Sequence, residues 1–154
     1  MTLDAIDRRL LALLQDDSTA PIAELAERVG LSQTPCWKRL KRLQDDGVIL
    51  RRVALVDPAQ LGAGLVVFVA IRTNRHDAAW LEAFADGARA LPEVVEFYRL
   101  SGEVDYLLKV RVADISAYDQ FYRRLIATAP LSDVTSSFAM EEIKSTTAVP
   151  VGLG

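Results

Sequence analysis

A chain of 154 residues is long enough for one large globular domain or two small ones. Apolar residues at 51% and charged residues at 25% exclude a disordered chain, and a single cysteine excludes an internal disulfide framework and fits a reducing compartment. The net charge of −3 does not advertise a nucleic-acid binder, yet residues 38–52 hold six basic side chains against two acidic ones, a local +4. The longest uncharged apolar run, Leu61 to Ile71, has 11 residues, too few to cross a bilayer. The acidic start Met1-Thr-Leu-Asp-Ala-Ile-Asp7 lacks the basic region of a signal peptide. These features predict a cytoplasmic protein with no membrane partner.

Leu3, Ile6, Leu10, Leu13 and Leu14 recur at helical steps and predict a first helix closed by Asp16-Asp17-Ser18-Thr19. Pro21 suits the first turn of a second helix, whose apolar face is Ile22, Leu25, Ala26 and Val29. Gly30 then supplies a left-handed helix end, and Ser32 is a good N-cap for a third helix. On that helix Cys36, Leu40 and Leu43 share the packing side, while Thr34, Lys38, Lys41 and Arg42 share the opposite side. Two helices, a glycine turn and a third helix with a basic outer face predict a helix-turn-helix, whose last helix enters the major groove of double-stranded DNA.

Residues near the start of such a helix reach base edges, so Gln33, Thr34 and Lys38 are assigned to base reading, with Pro35 in the same first turn. Arg39, Lys41 and Arg42 are placed for phosphates, which position a protein without reading sequence. After Asp46-Gly47, two short strands, Val48–Leu50 and Val53–Val56, predict a wing around Arg51 and Arg52. That pair either touches DNA backbone or minor groove, or forms an exposed turn. Trp37, on the helix flank, reads as a packing residue, and Cys36 as a buried small hydrophobe.

Residues 58–64, with a proline and two glycines, read as a linker between domains 1–57 and 65–154. Leu65–Ile71 predicts a strand buried on both faces; 78–90 predicts a helix through Leu81, Phe84 and Ala88. Strands follow at Val94–Leu100 and Tyr106–Val112, joined by a turn at Ser101–Val104. Ser116 and Asp119 resemble a capping box ahead of a helix striped by Tyr118, Phe121, Tyr122, Leu125 and Ile126. A last strand runs from Val134 to Met140, toward Ile143. The class is α+β: a winged helix-turn-helix followed by a ferredoxin-like βαββαβ domain. The sheet's open face needs a cover, which predicts a homodimer.

The pieces Leu3-Asp-x-Ile-Asp-Arg8, Glu24-Leu-Ala-x-Arg-Val-Gly-Leu-Ser32, Thr34-Pro-Cys36, Arg39-Leu-Lys-Arg-Leu43, Ser101-Gly-x-x-Asp-Tyr-Leu-Leu108 and Met140-Glu-Glu-Ile143 together resemble the Lrp/AsnC (feast/famine) transcriptional regulators. Trp37-Lys-Arg-Leu-Lys-Arg-Leu43 and Leu131–Met140 look like a subgroup that answers to cysteine or related amino acids. The resemblance implies an amino-acid effector held between dimers that assemble to a tetramer or octamer. It places the effector against Ser101, Gly102, Glu103, Val104 and Asp105, with Ser136, Ser137, Phe138 and Ala139 on the last strand. Backbone N–H groups beside Gly102 can hold a carboxylate, and Asp105 can accept from an α-ammonium or instead support a tight turn. Glu103 and Val104 stand where the family commonly has Asp and an aromatic, and Ser137 and Phe138 differ from the leucine-responsive type.

No nucleophile elbow, P-loop, dinucleotide fingerprint or cysteine–histidine metal spacing occurs, so no catalytic residue, metal or cofactor is expected. The single histidine, His76, reads as an exposed loop residue. Two rival readings are a tetrapyrrole decarboxylase of the same fold and an amino-acid sensor without DNA binding.

Overall fold

A computed structural model describes residues 2–75 and 77–152, so the expectation for His76 falls outside the described residues. The chain divides into two units: residues up to Leu55 together with those from Lys144 on, and Val56–Ile143.

The first unit contains three helices, α1 (Ala5–Asp16), α2 (Ile22–Arg28) and α3 (Gln33–Asp45). Asp4 and Asp7 form a reciprocal cap at the start of α1: the Asp4 carboxylate accepts from the Asp7 amide at 2.8 Å, and Asp7 accepts from the Asp4 amide at 3.2 Å. Pro21 immediately precedes α2 instead of joining its first turn. Gly30, at φ +72°, ends α2 in the left-handed region that glycine enters without strain. The apolar faces meet in one core of Leu10, Leu25, Ala26, Val29, Cys36 and Leu40. The C-terminal segment from Lys144 on packs here, although the sequence reading places it in the second domain.

The two wing strands are not formed. The amides of Val48 and Ile49 both donate to the Leu43 carbonyl, at 2.9 and 3.0 Å, and so close the end of α3 instead of entering a ladder. Beyond them, residues 50–56 are exposed and belong to no helix or strand.

The second unit runs β1 (Leu65–Arg72), α4 (Ala78–Arg89), β2 (Val94–Arg99), β3 (Tyr106–Val112), α5 (Ile115–Ile126) and β4 (Asp133–Phe138). Its sheet is antiparallel in the order β2-β3-β1-β4, the ferredoxin-like arrangement. Val67, Val69 and Ile71 of β1 and Tyr106, Leu108 and Val110 of β3 point to the helices and pack on Trp80, Phe84, Tyr118, Phe121 and Leu125. The Trp80 indole N–H donates to the Pro130 carbonyl at 2.8 Å, so its one polar atom is satisfied in the core. α4 runs so close to the end of α5 that a Cβ on Gly87 would lie 2.5 Å from the Thr128 side chain.

Three details differ from the sequence expectation. α5 is capped by Asp114, whose carboxylate accepts from the Ala117 amide at 2.8 Å; Asp119 pairs with Arg123 instead. β4 stops at Phe138, short of the predicted Met140, the Ala139 amide making a last bond to the Val66 carbonyl. The face of β1 turned away from the helices is only partly covered: Val66 is buried there, but Phe68 remains 39% exposed.

Candidate nucleic-acid interface and effector surface

The seam of α3 is fixed by Cys36, Leu40 and Leu43, all buried. A helix turns about 100° per residue, so this seam forces Thr34, Lys38 and Lys41 outward. Gln33, Thr34, Pro35, Lys38, Lys41 and Arg42 are all exposed, as the sequence predicts. Ser32 occupies the N-cap position, but its side chain makes no capping bond. Lys41 holds Asp45 at 3.0 Å, an exposed i,i+4 pair that a phosphate can replace at little cost. Arg51 and Arg52 lie exposed on the irregular segment after the helix.

Arg39 and Arg42 are not free cations. Arg39 donates to Asp4 at 2.6 Å and to Asp7 at 2.9 Å, and Arg42 donates to Asp7 at 2.6 Å. Asp7 is 1% exposed, and both arginines together with the Asp4 amide complete the hydrogen bonds of this buried carboxyl group. The Asp7 amide bond and the Arg39 guanidinium hold the Asp4 carboxyl below its ordinary range; the bonds to Asp4 and Asp7 push Arg39 up. The sequence reading missed this network because α1 and α3 are far apart in the chain.

Trp37 is 54% exposed and does not pack as expected: it lies about 100° around α3 from Cys36, past the edge of the seam. Cys36 is fully buried, and loss of solvent pushes its thiol up, away from reactive thiolate chemistry.

In the second unit, Ser101, Gly102 and Glu103 form an exposed turn between β2 and β3, with Gly102 at φ +134°. Val104 is half-buried. Asp105 ties this turn to the end of β1: its carboxylate accepts from the Thr73 amide at 2.8 Å, and its own amide donates to Ile71 at 3.0 Å. Glu103 reaches Arg72 at 3.2 Å. On β4 the side chains alternate. Ser136 faces the helices and shares a hydrogen bond with the Tyr118 hydroxyl, while Ser137 lies on the open face. Phe138 meets the Tyr118 ring edge-on at 5.1 Å. Ser136 also lines an open groove of about 400 Å³ with Tyr118, Tyr122 and Val134.

The two predicted effector groups do not converge within one chain. The 101–105 turn adjoins Ile71, whereas Phe138 pairs with Val67, four residues or about 13 Å along β1. Among the described residues, no group of three or more His, Cys, Asp and Glu side chains is placed to hold a metal ion.

A basic helix presented outward by a helix-turn-helix, in a chain that also carries a ferredoxin-like unit, defines a DNA-binding regulator with a separate ligand domain. The comparisons agree. The family model for winged helix-turn-helix DNA-binding matches residues 3–49, and that for the Lrp/AsnC ligand binding domain matches residues 66–149. The chain is 55% identical to the DNA-binding transcriptional activator DecR of Escherichia coli (strain K12), over 97% of this chain and 99% of that protein. The crystal structure of an AsnC family transcriptional regulator from Agrobacterium tumefaciens superposes with a TM-score of 0.94 at 54% identity, covering 97% of each chain. The L-Met complex of the transcriptional regulator NMB0573 from Neisseria meningitidis superposes with a TM-score of 0.93 at 38% identity, covering 98% of each. The chain belongs to the Lrp/AsnC family of transcriptional regulators.

Proposed function

We propose that this chain reads a specific DNA sequence as a homodimer or a higher assembly, and that a small amino acid held between dimers shifts both assembly and DNA affinity. The observation that carries the reading is α3: Cys36, Leu40 and Leu43 are buried, which turns Gln33, Thr34, Lys38 and Lys41 to solvent in the position from which such helices read bases. Arg51 and Arg52, also exposed, are further cations for the DNA backbone.

Pairing of two copies is supported by two exposed apolar surfaces. One is the open sheet face, with Phe68 and Tyr98; the other is the segment carrying Leu50, Val53, Leu55 and Val56. Two recognition helices on a two-fold axis suit a palindromic site. The effector is an amino acid, cysteine being the first candidate. The L-Met complex of a relative supports the class, and the separation of Ser101–Asp105 from Ser137–Ala139 supports a pocket drawn from more than one copy. Coupling between effector and DNA follows if the ligand favours one spacing of the recognition helices. Relatives named as regulators support a non-enzymatic role, and no helix among the described residues is long and apolar enough to cross a membrane, which accords with a cytoplasmic location.

The test pairs a mobility shift on the DNA upstream of the chain's own gene with a thermal-shift screen of the twenty amino acids. A retarded band whose affinity changes with the amino acid that raises the melting temperature is expected. No retardation of any upstream duplex at low salt, or no amino acid that stabilises the protein, overturns the corresponding half.

A further inference from the structure

We infer that Asp7 is a positioning residue for DNA binding: it holds the Arg42 guanidinium ready for a backbone phosphate of duplex DNA, while Arg39 is committed to the protein interior. This rests on the DNA-binding reading above. It departs from the sequence assignment, in which Arg39 and Arg42 are equivalent phosphate contacts.

The two arginines differ in three respects. Around α3, Arg39 lies about 60° from Cys36, against the packing seam, and Arg42 about 120° away, toward the exposed face. Arg39 is bonded to two carboxylates, Asp4 and Asp7, whereas Arg42 is bonded to Asp7 alone. The Arg39 side chain is 28% exposed and that of Arg42 is 45% exposed.

A guanidinium carries five N–H donors in a planar fork. Arg42 gives one of them, from Nη2, to Asp7 Oδ2. The rest of its fork stays available to a second oxyanion, so the side chain can bridge carboxylate to phosphate. Asp7 is itself fixed, being 1% exposed and accepting from the Asp4 amide and from both arginines. A long side chain held in its bound conformation before DNA arrives loses less freedom on binding.

The experiment is fluorescence anisotropy of the full chain on a short mixed-sequence duplex across a range of KCl. Arg42→Ala is expected to lower the slope of log affinity against log salt by about one unit, as loss of one phosphate contact requires. Arg39→Ala should leave that slope unchanged. Asp7→Asn should weaken binding about threefold, the cost of ordering one long side chain, and should have no effect in the Arg42→Ala background. A purely structural Asp7 would give the same loss in both backgrounds. Equal losses, binding by Asp7→Asn as tight as wild type or tighter, or a slope loss in Arg39→Ala each overturn the inference.

Should Asp7→Asn not fold, arginine side-chain NMR of the wild type decides. The Arg42 Nη signals should move when the duplex is added while those of Arg39 stay, and an unmoved Arg42 overturns the inference. Wild-type protein that binds no duplex at low salt overturns the DNA-binding reading itself, a separate outcome.

Discussion

Gln15 grips the backbone of Val149 with both ends of its carboxamide: Nε2 donates to the Val149 carbonyl at 3.0 Å, and Oε1 accepts the Val149 amide at 2.7 Å. Arg8, two turns earlier on α1, donates to the Val151 carbonyl at 2.5 Å. The C-terminal segment is thereby strapped along α1. Together with residues 48–55 these elements line an apolar cleft of about 830 Å³. Gln15→Ala removes both bonds and should lower stability by about 1 kcal/mol, the net worth of exposed hydrogen bonds. Truncation before Ala148 should do the same and uncover the cleft. Urea unfolding followed by far-UV circular dichroism checks both, and equal midpoints in wild type and variants would count against the strap.

Acid should loosen the N-terminal unit through Asp4. The Asp7 amide and Arg39 hold its carboxyl below the ordinary value of 3.8, so the folded state favours the charged form. The stability this confers is complete at neutral pH and is lost as pH falls through the folded pKa. Asp4→Asn can still cap α1 but cannot pair with Arg39. Its melting temperature should be lower than wild type at neutral pH, and the gap should close as pH falls from the ordinary carboxyl value of 3.8 through the lower folded pKa. Parallel curves over that window would show that the Asp4 charge does not contribute.

Much of the fold is legible in local pattern. The seam Cys36, Leu40, Leu43 and the alternation Tyr106, Leu108, Val110 are written in spacing, and both are buried as spacing demands. What the pattern does not carry is pairing at long range. Arg39 and Arg42 read as free cations because Asp7, their partner, sits more than thirty residues earlier. Val48 and Ile49 have strand-like side chains, yet their amides are taken by Leu43. Asp105 is legible as the key residue of its turn, but its bond to Thr73 depends on β1 and β3 lying side by side. The residues proposed for the effector can each be placed on a turn or strand from local pattern; their distance apart on β1 cannot.

Trp37 offers a direct report on the reading helix, because it is exposed whereas Trp80 is buried and bonded to Pro130. In a Trp80→Phe variant, the remaining fluorescence should be readily quenched by acrylamide in the free protein. Bound duplex should protect it, since Trp37 shares α3 with Thr34 and Lys38. Quenching that is unchanged by DNA would place α3 away from the duplex.

The open sheet face should hold two copies together. Phe68 is 39% exposed at its centre, with Lys109 directly opposite on β3 and Ser137 on β4. Phe68→Lys removes the apolar contact and sets a second cation against Lys109, an unfavourable cross-strand pair. Light scattering after gel filtration should find wild type as a dimer or larger and the variant shifted toward monomer, with little change in circular dichroism. An unshifted mass would assign the contact to the exposed 50–56 segment instead.

Asp105 separates two roles by the choice of substitution. One oxygen accepts the amide of Thr73, a residue only 7% exposed, so its loss leaves a buried donor unmatched. Asp105→Ala should therefore cost about 1–3 kcal/mol of stability. Asp105→Asn keeps an oxygen for Thr73 but removes the charge that an α-ammonium needs. It should melt close to wild type yet lose the thermal shift given by the amino-acid effector, with DNA binding in the absence of effector intact. A full thermal shift in Asp105→Asn would confine this side chain to supporting the turn, and the ammonium would then have to be held by other groups.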